Sequence, residues 1–163
     1  MATWQEIEAA VPDLAAAVRG AFDAHKHKVL ATLRADGSPR TSGNELTFKD
    51  GEAWLGMMHR SVKALDLLRD PRLAVHSATA DAELKLGDAK LSGRAVEETD
   101  AELKRSFGSN SAEEHDVEEP PEEYHLFRVD ISEVSIVRLG DPPDHLLIES
   151  WSPASGYRRT ERR

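Results

Sequence analysis

The stretch Met58–Leu73, MHRSVKALDLLRDPRL, combines the end of a strand, a tight connection and a short helix. Apolar residues recur at helical spacing and predict a helix over Ser61–Arg69. Ser61 precedes this stripe as the candidate N-cap. Asp70–Pro71 ends the helix, because the residue before proline disfavours the helical conformation. The stripe consists of Val62, Leu65 and Leu68.

The connection in front of this helix carries two cations and a hydroxyl, Arg60, Ser61 and Lys63. A helix N-terminus presents unpaired backbone N–H groups and a partial positive charge, so it favours anions. We therefore predict a phosphate site here. The alternative is that Ser61 only caps the helix while Arg60 and Lys63 are solvated.

Upstream of this stretch the hydrophobic period is two, which predicts strands. The first strand covers Val29–Leu33 and ends at the hairpin signal Asp36–Gly37. A second strand runs from about Pro39 to Phe48 and stops at Asp50–Gly51, and a third covers Glu52–Met58. Three strands in succession with tight turns predict a β-meander.

Downstream, strands are predicted over Leu73–Ser77 and Lys90–Glu97. Thr99 and Glu102 form a capping-box pattern that opens a helix through Leu103–Phe107, which Gly108 closes. Two further alternating runs and a last short strand, His145–Trp151, follow. The two alternating runs contain Phe127, Val129 and Ile131, then Val134 and Ile136.

The N-terminal segment, residues 3–24, is predicted to be helical. Thr3 and Glu6 form a capping box, and Pro12 divides the segment into two short helices or kinks one long helix. The apolar face consists of Ile7, Val11, Leu14, Val18 and Phe22.

Composition narrows the class of protein. The chain has 163 residues, 39% apolar and 31% charged, which predicts a single soluble globular domain over residues 1–163, placed in the cytoplasm. The absence of cysteine excludes disulfides, thiolate metal sites and cysteine nucleophiles. With 21 basic and 30 acidic residues the formal charge is −9, so neither nucleic acid nor a membrane is expected as a partner.

The charge is unevenly distributed. An acidic loop is predicted over residues 109–123, with seven carboxylates between Ser111 and Glu123, either as a solvated segment or as a lid over a neighbouring site. An arginine-rich tail occupies residues 157–163, either as a disordered end or as an anion-binding edge.

The predicted order of elements favours a mainly β fold, a closed or split antiparallel β-barrel with peripheral helices. Side chains fill the interior of a small barrel, so a ligand would bind outside it or at a subunit interface.

The sequence gives little indication of a metal site or of catalysis by a side chain. His25 and His27 lack a third metal ligand, and no nucleophile-elbow or HExxH motif is present, so we predict no metal site and no catalytic side chain.

Four segments in this order resemble the pyridoxamine 5′-phosphate oxidase-like, FMN-binding split-barrel proteins. They are the hairpin Leu30–Arg40, the stretch Met58–Leu73, the glycine-containing strand Lys90–Ala95, and Ile148–Trp151. The similarity covers roughly Lys28 to Trp151. It implies a split-barrel homodimer with two flavin sites at the dimer interface.

The resemblance also implies roles for particular residues. Ser61 and Lys63 match the family's phosphate-contacting S-x-K, with Arg60 between strand and helix. Met57 and Met58 fall where a strand end approaches the flavin, and Trp151 matches a tryptophan of the flavin pocket. The backbone bordering the flavin ring matches Thr41, Ser42, Gly43 and Asn44.

Two departures from the oxidases separate this chain from them. The second strand of the oxidases carries an arginine and a lysine for the phosphate, where this chain has Ser42 and Thr47. Their R-x-H-x-R end is replaced by the sequence Tyr157–Arg162. The resemblance therefore implies a divergent member with an activity other than pyridoxamine 5′-phosphate oxidation.

The resulting hypothesis is an FMN-dependent oxidoreductase acting on a small molecule that the sequence does not identify. An alternative on the same fold is a reductase that uses 8-hydroxy-5-deazaflavin, whose anionic tail would give the arginine-rich end a role. A further alternative is a non-catalytic flavin or haem carrier, with His25, His27 or His59 as the haem ligand. A barrel that has lost its cofactor site also remains open.

Overall fold

A computed structural model describes residues 1–79, 84–115 and 123–163. Four helices and nine strands occur in these residues. The helices are α1 (Trp4–Ala10), α2 (Pro12–Asp23), α3 (Val62–Arg69) and α4 (Ala101–His115). The strands are β1 (Lys28–Leu33), β2 (Pro39–Asn44), β3 (Thr47–Lys49), β4 (Glu52–Met58), β5 (Arg72–His76), β6 (Asp88–Glu97), β7 (Tyr124–Leu139), β8 (Leu146–Ser152) and β9 (Gly156–Arg162).

The strands form one antiparallel sheet in the order β2-β1-β5-β6-β7-β4-β3. The long strand β7 has two partners on one side, because its first part pairs with β4 and its second part with β8. The sheet curls into a barrel-like shape without closing. The predicted mainly β, split-barrel fold is confirmed.

Strand β6 bends where its register to β7 shifts between Ser92 and Gly93. A Cβ on Gly93 would lie 2.3 Å from the carbonyl oxygen of Asp130, so only glycine fits this close approach. The central glycine noted in the sequence is therefore required by the close approach of β7 at this register shift.

Helices α1 and α2 pack on the sheet, α1 against β4 and α2 against β6 and β7. The Thr3–Glu6 capping box is present, and the chain divides at Pro12, which begins α2. Trp4 packs on Phe48 with ring centroids 4.2 Å apart, and Phe22 contacts the same ring at 5.9 Å. The helices therefore bury their apolar faces against the barrel, as the 3.6-residue period predicts.

The predicted β-meander is wrong. Residues Pro39–Phe48 form two strands, because β2 pairs with β1 whereas β3 pairs with β4. Three strands separate β1 from β4 in the sheet, so a single straight strand could not pair with both. The chain changes partner at Glu45–Leu46.

The predicted boundaries of α4 are wrong at both ends. Asp100, rather than Thr99, caps the helix, since its carboxylate accepts hydrogen bonds from the backbone N–H groups of Glu102 and Leu103 at 2.8 and 2.9 Å. Gly108 does not end the helix, which continues to His115. The first part of the predicted acidic loop is thus helical, and residues 116–122 lie outside the described residues.

The arginine-rich tail is a strand. Strand β9 pairs with β8 from Gly156 to Arg162 and exposes its arginines. The two alternating runs of the sequence belong to one strand, β7. Among the described residues, no helix is both long and apolar enough to cross a membrane.

Candidate functional site

The candidate site is the connection between β4 and α3, residues 57–63. The backbone N–H of Ser61 donates to the carbonyl of Met58 at 3.1 Å, which closes a tight turn. Arg60 adopts a positive φ of 54° inside that turn. Helix α3 then begins, since Leu65 N–H donates to Ser61 at 3.0 Å. The turn therefore leaves the first N–H groups of α3 at the end of β4.

Ser61 occupies the N-cap position without acting as a cap. Its side chain makes no capping hydrogen bond, and its Oγ is buried without a hydrogen-bond partner. A buried polar atom left unpaired costs about 1–3 kcal/mol. The interpretation of Ser61 as a simple cap is thus wrong, and its hydroxyl fits a phosphate oxygen that would complete its hydrogen bonding.

Lys63 joins this turn to the edge strand β2. Its Nζ donates a hydrogen bond to the carbonyl of Gly43 at 2.7 Å, and burial lowers the pKa of the amine. An ammonium has three donors, so two remain for a ligand. Lys63 is therefore not the fully solvated side chain of the alternative interpretation.

The two methionines at the end of β4 point to opposite faces. The side chain of Met57 is 4% exposed and belongs to the core, whereas that of Met58 is 78% exposed. Only Met58 therefore offers its side chain to a ligand outside the barrel. Arg60 is exposed beside it.

The four predicted residues of β2 also alternate. Thr41 and Gly43 are exposed, Ser42 is half-buried, and Asn44 is buried, with its Nδ2 donating to the Glu45 carbonyl at 2.7 Å. An added Cβ on Gly43 would meet no atom within 4 Å. The structure thus brings β2 together with Lys63 and leaves open space beside Gly43.

Trp151 lies elsewhere in the chain. It is on β8, which pairs with β7 and β9 and not with β2 or β4, and it packs against the core. Within one chain the structure does not bring Trp151 together with the β4–α3 connection.

The sequence analysis did not identify two residues of the site region, Asp66 and Arg40. Asp66, on α3, is 2% exposed and accepts a hydrogen bond from Arg40 Nε of β2 at 2.6 Å. Burial acts to raise the pKa of Asp66, but hydrogen bonds from Arg40, Arg69 and Thr32 outweigh it and hold the pKa below its usual value. An acidic residue between the apolar Leu65 and Leu67 was the available signal.

A ring stack that the sequence did not predict lies where the connection leaves β4. The imidazoles of His59 and His125 are parallel, with centroids 5.5 Å apart. His59 contacts Glu123 at 3.3 Å, and His125 Nδ1 lies 2.7 Å from Glu97. His59 is therefore already engaged within the chain. Over the described ranges, no three histidine or carboxylate side chains are grouped as metal ligands.

The split barrel and its β4–α3 turn define a class of protein, and comparison with known proteins gives its family. The family model described as pyridoxamine 5′-phosphate oxidase matches residues 14–138. The chain therefore belongs to the pyridoxamine 5′-phosphate oxidase-like family, as the sequence motifs indicated. No curated protein matched.

Solved structures share the fold. General Stress Protein 26 from Bacillus anthracis is 21% identical, with a TM-score of 0.57 over 74% of this chain and 91% of its own. A heme binding protein from Mycobacterium smegmatis is 16% identical, with a TM-score of 0.58 over 90% of this chain and 86% of its own. An F420 reductase is 16% identical, with a TM-score of 0.54 over 66% and 87%. At these identities the likeness concerns the fold alone.

Proposed function

We propose that this protein is an FMN-dependent oxidoreductase that binds the cofactor phosphate at the β4–α3 connection. The observation that carries the proposal is the buried, unpartnered Oγ of Ser61, a residue that follows Arg60 and precedes Lys63 in the chain. Family membership supports a flavin in general terms. Bound flavin would supply the redox chemistry by accepting a hydride from a small-molecule substrate.

Each residue of the site has a distinct role in this proposal. Ser61 and the first N–H groups of α3 donate hydrogen bonds to the phosphate, and Arg60 and Lys63 neutralise its charge. The exposed side chain of Met58 and the backbone of residues 41–44 border the flavin ring. No side chain of the chain needs to transfer a proton, since the reacting atoms belong to cofactor and substrate.

The second half of the proposed site comes from a second copy of the chain. Val62, Leu65 and Leu68 are exposed on α3, so the stripe that the sequence indicates faces solvent rather than the core. Exposed apolar side chains in a row are typical of an interface. A homodimer that covers this stripe would let Trp151 of the second copy reach the flavin, which one chain does not allow.

The test is titration of the purified protein with FMN, followed by flavin fluorescence, with Lys63→Ala as the variant. We expect saturable binding that weakens about tenfold in Lys63→Ala, because a charge-assisted contact contributes about 1.5–3 kcal/mol. Lys90→Ala, an exposed lysine on β6, is the matched control and should bind as the wild type does. Equal dissociation constants in all three proteins would refute the site.

A second candidate is a reductase that uses 8-hydroxy-5-deazaflavin. Strand β9 exposes Arg158, Arg159 and Arg162, which suit a cofactor with a longer anionic tail. Tight uptake of the deazaflavin with none of FMN, weakened by Arg158→Ala, would favour it. A haem absorption band that shifts in His25→Ala, His27→Ala or His59→Ala would instead favour a haem carrier.

A further inference from the structure

Asp66 connects three elements around the candidate site through one buried carboxylate. Its Oδ2 accepts hydrogen bonds from Thr32 Oγ1 of β1 at 2.9 Å and from Arg40 Nε of β2 at 2.6 Å. Its Oδ1 accepts one from Arg69 at 3.0 Å, within α3 itself. Asp66 thereby fixes the β1–β2 hairpin against the helix that begins at Ser61.

The hairpin needs such a connection because of its place in the sheet. In the described sheet β2 is an end strand and pairs only with β1. Two polar contacts join it directly to α3, namely Lys63 to Gly43 at the first turn and Asp66 to Arg40 one turn later. Arg69 adds a hydrogen bond to the Leu33 carbonyl at the far end of β1.

A buried ion pair is a poor means of stabilising a fold. Desolvating the two charges costs about as much as their attraction returns, and well-packed apolar replacements are often as stable. Directional hydrogen bonds define relative positions more narrowly than apolar contacts alone, because donor and acceptor must keep both their distance and their angle. A ligand site split between β2 and α3 depends on that relative position.

We propose that Asp66 and Arg40 are positioning residues, which hold the backbone of β2 at the distance from Ser61 and Lys63 that the bound cofactor requires. This inference rests on the proposed function. The cofactor loses affinity when the pair is replaced, even where the fold keeps its stability.

The decisive variant replaces the polar contact by apolar side chains of similar size: Thr32→Val, Arg40→Met and Asp66→Leu together. We expect its urea midpoint to equal or exceed that of the wild type, while its FMN dissociation constant rises about tenfold or more, because small misplacements are costly in such sites. The control is Arg128→Met with Asp130→Leu, which removes a 2.8 Å ion pair on β7 and should bind FMN normally.

Amide hydrogen exchange on the protein without cofactor tests the same idea independently of binding. Asp66→Asn and Arg40→Met should speed exchange in β2 and the first turn of α3 by a larger factor than in β6 and β7, where exchange rises only with the loss of overall stability. Arg40→Lys should restore part of the protection. These single variants also serve if the triple variant fails to fold.

The outcomes separate the two proposals. If the wild type does not bind FMN but amide exchange in the single variants rises most in β2 and the first turn of α3, the proposed function fails. The positioning role then stands for another ligand. If the triple variant binds FMN as the wild type does, or if exchange in the single variants rises by no larger a factor in β2 and the first turn of α3 than in β6 and β7, the positioning role is overturned.

Discussion

Arg60 carries backbone strain at the centre of the candidate site. Its φ of 54° lies in the left-handed region, which costs a non-glycine residue about 1–2 kcal/mol relative to its preferred conformation. Strained residues concentrate at ligand sites, where neighbouring contacts fix the backbone. The sequence showed Arg60 as a cation, but not this conformation, because nothing local in HRS favours a positive φ.

Two substitutions separate the backbone of Arg60 from its charge. Arg60→Gly should be about 1 kcal/mol more stable than Arg60→Ala, since only glycine adopts this φ freely. Both should weaken FMN binding to a similar extent, because both remove the guanidinium. Urea unfolding and FMN titration of the pair provide the measurements, and unchanged affinity in both variants would exclude Arg60 from the site.

The lowered pKa of Asp66 predicts that the stability of the fold depends on pH. Its folded-state pKa lies below the unfolded value of about 3.9, so its contribution is present above that value and is lost as the pH falls through the folded pKa. Asp66→Asn should cost about 3 kcal/mol at pH 7, because it leaves Arg40 without its partner. This difference should shrink below about pH 4. A difference that stays constant in urea unfolding down to pH 3 would contradict the assignment.

Among the elements, α4 shows what local sequence decides. Both Thr99 and Asp100 are good N-cap residues, and the capping-box pattern favoured Thr99. The structure selects Asp100, and Phe107 then packs on Trp54 with centroids 5.9 Å apart. Gly108 failed as a stop because a glycine inside a helix weakens it without ending it.

The capping difference can be measured. Asp100→Ala should lower the thermal midpoint and speed amide exchange several-fold in the first turn of α4, because two backbone N–H groups lose their acceptor. Thr99→Ala should change neither quantity by a comparable amount. Equal effects of the two substitutions would contradict the assignment of Asp100, rather than Thr99, as the N-cap.

Helix α3 shows that an apolar stripe at helical spacing is not always the buried face of its helix. The spacing of Val62, Leu65 and Leu68 predicted the helix, whose observed range is Val62–Arg69. Its buried face nevertheless consists of Ala64, Asp66 and Leu67. Periodicity identifies an amphipathic face but not whether the barrel or another chain covers it.

At the scale of the whole molecule, that exposed stripe predicts a dimer. Leu65→Glu with Leu68→Glu should convert the protein to a monomer in sedimentation and weaken FMN binding, because charge on this face opposes its burial. Leu103→Glu, an exposed leucine on α4, is the control. A wild type that sediments as a monomer would leave the stripe without this role.

The order of the strands in the sheet could not be predicted from local sequence patterns. Alternation predicted most strands of the barrel, including β1 and β4, yet it merged β2 with β3, since alternation carries no information about which strand is the partner. Pairing over long sequence separations, such as β1 with β5, follows from which faces the whole core buries. The single domain over residues 1–163 stays a prediction.

The sequence by itself determined the family, the mainly β class, the helical N-terminal segment and the cationic turn Arg60–Lys63, because each depends on residues close in the chain. Only the tertiary structure decided that Ser61 keeps an unpaired hydroxyl, that Lys63 reaches Gly43, and that Asp66 meets Arg40. These contacts join residues 20 or more positions apart. Their partners are chosen by the packing of α3 on the hairpin, which no local pattern encodes.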